Sequence, residues 1–307
     1  LDNEGEVRSD YGTGISLSLV MENKSNTGTM SAANDANLDI DAIILDNRGG
    51  RLLADGGGVR LLGGAEIIGG GFETTGSSEI RAQNATLTDI VNLGVLRVAD
   101  STTTVVTGQE LRNDGRILIG LANTALAILR FDAQVELTGP GRLELLHSSS
   151  QVNTGGGGRL TVAASHLVRG RGEINGAMTN WGTIVSDYAS GTPLILAQSV
   201  KAHHGSMRVE NAAVLQVSTN IAGAGSWTAS SGTLRLRDAA VVTTTGPVRI
   251  AAAGFLDVRT GEMGASDLTI DEGGRVSVGS RCRLSANLSF ASQNEDDWRW
   301  VAGSSLI

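Results

Sequence analysis

The tripeptide Asn-x-Gly returns along this chain at intervals close to one, two, one and three times a unit of about 22 residues. The copies with this spacing begin at Asn26, Asn47, Asn92, Asn113 and Asn180 and end at Gly28, Gly49, Gly94, Gly115 and Gly182. Asparagine and glycine tolerate backbone angles that strain other residues, so each copy predicts a structural turn where the chain bends sharply. A turn that recurs in register at this spacing is typical of a coil of stacked rungs.

Short runs of alternating apolar and polar residues follow these and other glycines. Examples are residues 94–98 (GVLRV) and residues 232–236 (GTLRL). Period-two alternation places the apolar side chains on one face, so each run predicts a half-buried strand. No segment combines helical periodicity with helix caps. We therefore predict an all-β fold, a single-stranded parallel β-helix (β-solenoid) of either hand, with rungs of about 22 residues.

The composition agrees with a narrow core. Aromatic residues make up 3% of the chain, whereas the hydrophobic fraction is 40%. Large globular cores draw much of their buried area from Phe, Tyr and Trp, while a thin stack of short strands is filled by Val, Ile, Leu and Ala. We expect one continuous solenoid over residues 1–307, with residues 1–15 as a partial N-terminal cap. Because the first residue is Leu1, we expect the chain to be an excised part of a longer protein.

Charge and cysteine content exclude several classes of protein. The net charge of −8 and the pI of 5.1 give no basic surface for nucleic acid, and no apolar stretch reaches the ~20 residues of a membrane span. The single cysteine, Cys282, excludes an intrachain disulfide and a cysteine-based metal cluster. We expect no cofactor, no metal and no membrane insertion.

The Asn-x-Gly rungs, together with residues 137–145 (LTGPGRLEL), resemble those of bacterial secreted β-solenoid surface proteins. These include autotransporter passengers, filamentous-haemagglutinin-like adhesins and PEP-CTERM-type surface proteins. The resemblance implies an extracellular, cell-surface location and a structural or adhesive role rather than an enzymatic one. It implies partners of three kinds: further copies of the chain joined end to end or laterally, other surface proteins, and cell-surface glycan.

Three residues are candidates for ligand binding. Trp181 lies inside an Asn-x-Gly turn, where we expect an exposed side chain that could stack on a sugar ring. His203 and His204 precede Gly205 at another turn position, and we expect both to be exposed. A catalytic or metal-binding role for them needs a third group, and the neighbouring sequence offers none. We assign no catalytic residue.

The alternative function is that of a carbohydrate-binding or carbohydrate-active β-helix, similar to a polysaccharide lyase or hydrolase. It requires carboxylates, arginine and histidine to meet on one sheet face. The acidic run Glu295, Asp296 and Asp297 is the densest carboxylate group, and we expect it to be a solvated loop. A row of outward arginines could bind acidic glycan, although interleaved Thr, Glu and Asp favour a mixed solvated face. These arginines are Arg97, Arg116, Arg142, Arg159, Arg235 and Arg237.

Overall fold

A computed structural model describes residues 1–121, 125–189, 191–279, 282–290, 298–300 and 305–306. It gives side-chain positions up to residue 289 within these ranges. The described residues form an all-β structure without helices, in which parallel sheets build a β-solenoid of about 13 turns. Each rung takes roughly 21 residues, close to the predicted 22. The predicted fold class is confirmed.

The chain divides into two compact units, residues 1–160 and residues 161–307. In unit 1 each rung contributes a first strand to one sheet and then a second and a third strand to another. The first strands are β1 (Asp2–Asn3), β4 (Lys24–Asn26), β7 (Ile44–Asp46), β10 (Glu66–Ile68), β13 (Thr86–Thr88), β16 (Thr102–Thr107), β19 (Ala127–Phe131) and β22 (Ser150–Thr154). The second strands are β2 (Glu6–Ser9), β5 (Thr29–Ala33), β8 (Arg51–Asp55), β11 (Gly71–Thr75), β14 (Val91–Asn92), β17 (Glu110–Asn113) and β20 (Gln134–Thr138). The third strands are β3 (Ser16–Leu19), β6 (Asn37–Asp41), β9 (Gly58–Leu62), β12 (Ile80–Ala82), β15 (Val95–Val98), β18 (Arg116–Ile119) and β21 (Arg142–Leu145).

Unit 2 begins inside β23 (Arg159–Val162) and follows the same order. Its first strands are β25 (Gly172–Ile174), β28 (Leu194–Ala197), β31 (Val214–Ser218), β34 (Thr233–Leu236), β36 (Phe255–Val258), β38 (Arg275–Val278) and β40 (Trp298–Trp300). Its second and third strands are β24 (Leu167–Gly170), β26 (Met178–Asn180), β27 (Thr183–Ser186), β29 (Lys201–His203), β30 (Ser206–Val209), β32 (Ile221–Gly223) and β33 (Ser226–Ala229). In later rungs these two strands merge into one, namely β35 (Ala240–Ile250), β37 (Gly261–Ile270) and β39 (Arg283–Phe290). The last strand, β41 (Ser305–Leu306), pairs with the start of β39.

Rungs stack in parallel register, so like residues form columns. In unit 1, Ile117 pairs with Leu96 on one side and with Leu143 on the other, and all three are buried. Such columns of Leu, Ile and Val form the core. They exclude water along each unit, and burying one such side chain stabilises the fold by about 1.5–3 kcal/mol. Among the residues whose side chains are described, Phe72, Phe131 and Trp227 are the largest fully buried aromatic residues.

The Asn-x-Gly turns occur at two different corners of the rung. In unit 1, Asn26 and Asn47 lie before second strands, whereas Asn92 and Asn113 end second strands. The sequence predicted that every copy of the tripeptide would occupy the same corner, but the copies occupy two different corners. The asparagines do not have positive φ, so backbone tolerance does not explain them. Instead they are fully buried at the corners.

Buried amides link one rung to the next. Asn3 Nδ2 donates to Asn26 Oδ1 at 2.7 Å, and Asn26 Nδ2 donates to Asn47 Oδ1 at 2.6 Å. At the other corner, Asn92 Nδ2 donates to Asn113 Oδ1 at 2.6 Å. These bonds stabilise the corners, because a buried polar group without a partner costs about 1–3 kcal/mol. Asn92 Oδ1, at the start of the second column, accepts no hydrogen bond. We call these columns amide ladders.

Candidate functional site

The same corner in unit 2 carries the three candidate ligand-binding residues. Asn180 pairs in register with His203, and the backbone N–H of His204 donates to the Asn180 carbonyl oxygen at 2.8 Å. Asn180-Trp181-Gly182 and His203-His204-Gly205 are thus successive copies of one corner. We call this region the aromatic corner.

His203 is buried, with 1% of its surface exposed, so the expected exposed position is wrong. It takes the place of an asparagine in the ladder. Nδ1 accepts a hydrogen bond from Asn180 Nδ2 at 3.1 Å, and Nε2–H donates to the Ser226 carbonyl oxygen at 3.1 Å. A neutral imidazole with its proton on Nε2 meets both partners, as an amide oxygen and nitrogen would. The alternation of β29 turns this side chain inward.

Burial lowers the pKa of His203 to about 4. A second proton would sit on Nδ1, facing the N–H groups of Asn180, so the contacts also favour the neutral ring. Trp227 packs edge-to-face with this ring on the interior side, with ring centroids 5.0 Å apart at an interplanar angle of 78°. Gly225 is required here, because a Cβ at that position would collide with the imidazole. His203 is therefore a buried structural residue.

Trp181 and His204 face outward at this corner. Trp181 is 51% exposed and His204 is half-buried. Their rings are stacked, with centroids 4.2 Å apart and planes 20° apart. This separation is close to the ~4.8 Å between neighbouring strands, so the ring faces are turned toward the adjoining rungs. The structure thus places two of the three candidates together on the surface and the third beneath them.

Small residues surround the stack on the following rung. Ala202 pairs with Ala222, and Ser206 pairs with Ser226, which places the exposed Ala224 next to His204. A methyl group cannot cover an imidazole or indole face. Ala224 therefore leaves the stacked rings less covered than a larger side chain would, and the half-buried side chains of Ser206 and Ser226 lie on one flank.

Lys201 lies in the same strand as His203 and is also buried, with 1% exposure. Its ammonium donates to three carbonyl oxygens, those of Gly176 at 2.9 Å, Ala197 at 2.7 Å and Ser199 at 3.0 Å. Burial lowers the pKa of Lys201 to about 7. The three carbonyl acceptors match the three N–H donors of the charged form and oppose that shift.

Unit 1 also contains a concave surface, a groove of about 780 Å³. Glu110 and Glu136 line it from paired positions on neighbouring strands, with Asp89 and Arg112 beside them. Asp89 Oδ1 accepts the backbone N–H of Gln109 at 2.8 Å. We call this region the acidic groove. No sequence motif marks this groove, because its carboxylates come from three different rungs.

Four of the six outward arginines, namely Arg97, Arg116, Arg142 and Arg235, are paired with carboxylates. Arg116 and Arg142 both donate to Glu144 Oε1 at 2.8 Å, and Arg97 donates to Glu79 Oε2 at 2.6 Å. Burial alone would raise the pKa of Glu144, but the hydrogen bonds from both arginines outweigh it and hold the pKa below its usual value. In unit 2, Arg235 donates to Asp257 Oδ2 at 3.0 Å. These contacts agree with the mixed face that the sequence favoured.

Within the part of the chain that the structure describes, no group of His, Cys, Asp or Glu is arranged to hold a metal ion. Cys282 is buried and forms no disulfide bond. The acidic run of Glu295, Asp296 and Asp297 lies outside the described residues. The described residues include no helix with the length and apolar character needed to cross a bilayer.

No protein family model matches the chain, and no curated protein or solved structure is significantly similar to it.

Sequence reasoning missed two features whose signals were present. Asn3-Glu4-Gly5 is a further copy of the motif and begins the first amide ladder. His203-His204-Gly205 has histidine at the asparagine position, and the alternating frame would have turned His203 inward. Lys201 had no such signal, since lysine is rarely buried.

Proposed function

We propose that the chain is an extracellular structural or adhesive β-solenoid of a bacterial cell surface. The observation that supports this most is the amide ladder, which ties successive rungs together by side chains as well as by backbone. A ladder of this kind gives a regular, rigid body whose outward side chains are held at fixed spacing. That property suits a stalk, a coat or a scaffold for adhesion.

The partners we propose are further copies of the chain and other surface proteins. Exposed side chains of alternating charge, such as Glu6, Arg8 and Asp10, offer surfaces that complement themselves. Strand edges are a second route to association, because unpaired backbone groups can add another strand.

The test is to express the chain in its natural host and label intact cells with antibodies against it. We expect labelling without permeabilisation, and light scattering of the purified protein should show a mass that rises with concentration. Labelling only after permeabilisation would contradict the proposed location. A monomer at all concentrations would leave adhesion to other molecules as the function.

A second candidate function is the cleavage of polysaccharide at the acidic groove, either by hydrolysis or by the elimination reaction of a lyase. Glu110 and Glu136 occupy paired strand positions, and two carboxylates about 5–5.5 Å apart are the arrangement of retaining glycosidases. The experiment is release of reducing ends from a panel of polysaccharides, with Glu110→Gln and Glu136→Gln as matched variants. Activity that both variants abolish would favour the enzyme, whereas no release from any substrate would exclude it for that panel.

A further inference from the structure

We infer that the aromatic corner binds a neutral pyranose ring, which stacks above Ala224 and continues the pair formed by Trp181 and His204. This inference deepens the adhesive part of the proposed function and rests on it only in naming polysaccharide as the natural ligand.

The first step of the argument is the open ring surface. The five-membered imidazole of His204 is smaller than the indole of Trp181, so it covers only part of the indole face. Trp181 keeps 51% of its surface exposed. The rung that would otherwise cover both rings carries Ala222 and Ala224, both exposed. Because only methyl groups follow His204 on the next rung, a space one ring deep is left above Ala224. We call this space the slot.

The second step is the chemistry of the slot. The faces of aromatic rings carry partial negative charge, and the C–H groups on one face of a pyranose carry partial positive charge. Beside the rings, the side chains of Ser206 and Ser226 stand in register and supply hydroxyl groups that can donate to or accept from sugar hydroxyls. A largely apolar platform with a few polar groups is typical of small-ligand sites.

The third step is charge. Apart from the stacked rings, the residues adjoining the slot are Ala202, Ala222, Ala224, Ser206 and Ser226, which carry no ionisable side chain. The chain as a whole carries a net charge of −8, which repels polyanions. A neutral sugar therefore fits better than a uronic acid polymer or a nucleic acid.

The fourth step is pre-organisation. Stacking on His204 restricts the rotation of the Trp181 side chain, and the buried His203 fixes the backbone from which His204 projects. A platform ordered before binding loses less conformational entropy when the ligand arrives. The interior ladder thus supports the outer stack.

The experiment uses the full chain and an array of hexasaccharides of glucose, N-acetylglucosamine, mannose and galacturonic acid. The strongest binder is then titrated against wild type and four variants. We expect a neutral hexasaccharide to bind, and His204→Ala, which removes the ring that the sugar covers, to weaken its affinity at least about tenfold, a loss within the range of one aromatic contact. Ala224→Trp fills the slot and should weaken binding by a similar factor while the thermal midpoint stays unchanged.

Two variants serve as matched controls. Ala164→Trp adds an indole on the opposite side of Trp181, and Leu93→Ala removes the exposed apolar residue at the corresponding corner of unit 1; both should bind as wild type. Binding of the uronic acid alone, or unchanged affinity in Ala224→Trp, would overturn the inference. No binding of any hexasaccharide would overturn it too, and surface labelling of intact cells would show separately whether the proposed function survives.

Discussion

In unit 1 the corner after the second strand stacks Asn92 on Asn113, whereas in unit 2 the same corner stacks Asn180 on His203. The hydrogen-bond pattern is the same in both, with one nitrogen donating toward the next rung and one atom accepting from the previous rung. The interior therefore specifies a donor and an acceptor at a given spacing rather than a residue type. Histidine meets this demand but also introduces a group that binds protons.

The exposed neighbours differ as well. In unit 1 they are Leu93, which is 49% exposed, and Asp114, which pairs with Arg112 at 2.9 Å. In unit 2 they are Trp181 and His204, which stack on each other. One backbone frame thus presents an ordinary solvated surface in one unit and an aromatic platform in the other.

Lysine shows the same contrast. Each lysine donates to the backbone carbonyls two and four residues earlier. Lys24 in unit 1 donates to Glu22 and Val20. Lys201 in unit 2 donates to Ser199 and Ala197. Only Lys201 is buried, and only Lys201 reaches a third carbonyl, on the preceding rung. Both lysines make the same local contact, but we expect it to contribute substantially to the free energy of unfolding only where the lysine is buried.

The largest expected effect comes from breaking that contact. Lys201→Met leaves three carbonyls without their donor in the core, so we expect the free energy of unfolding to fall by about 3 kcal/mol. Lys24→Met removes an exposed contact and should change it by less than about 0.5 kcal/mol. Denaturant unfolding of both variants measures the difference. Equal effects would mean that burial does not distinguish the two lysines.

The next effect is pH dependence in unit 2. The pKa of His203 is about 4 in the folded chain and near 6.5 when unfolded, so the unfolded chain binds the proton first as the pH falls. Its stabilising contribution is complete above about pH 6.5, and about 2–3 kcal/mol is lost by pH 4.5. His203→Asn keeps the ladder without the titrating ring.

Hydrogen exchange between pH 7.5 and 4.5 locates this effect in the chain. Peptides around β29 and β32 should lose protection in wild type and lose less in His203→Asn, while peptides around β14 and β17 should respond alike in both proteins. An identical pH response of β29 in the two proteins would show that His203 is not the group that titrates.

Smaller effects come from the arginine pairs, which the two units share. Glu144→Gln in unit 1 removes the carboxylate between Arg116 and Arg142, and we expect a loss of about 1–2 kcal/mol. Asp257→Asn in unit 2, between Arg235 and Arg259, should behave in the same way. High salt screens the repulsion left between the arginines, so thermal unfolding at low and high salt measures it. A loss that is independent of salt would favour packing as its cause.

The smallest expected effect is that of the outer stack on stability. Trp181→Ala should lower the free energy of unfolding by about 0.5–1 kcal/mol, because an aromatic pair contributes little beyond the area it buries. Leu93→Ala should change it by less than about 0.5 kcal/mol. Both values come from denaturant unfolding. A loss above that of Lys201→Met would mean that the stack is a structural element rather than a platform.

The strand frame was predictable in detail because it depends on local alternation. The run at residues 94–98 alternates apolar and polar side chains, and Leu96 and Val98 are buried as that pattern requires. The site was predictable only in part. Trp181 and His204 were identified as candidates, but their stacking depends on which residues of different rungs become neighbours.

What the sequence determined by itself was the all-β solenoid, the approximate rung length and the inward face of each strand, since all three follow from periodicity along the chain. The tertiary structure decided which rungs share a corner, and hence that His203 replaces an asparagine, that Lys201 reaches a third carbonyl and that Trp181 stacks on His204. These contacts join residues about 20 or more positions apart. Their register depends on the exact length of each rung, which a one-residue change would shift.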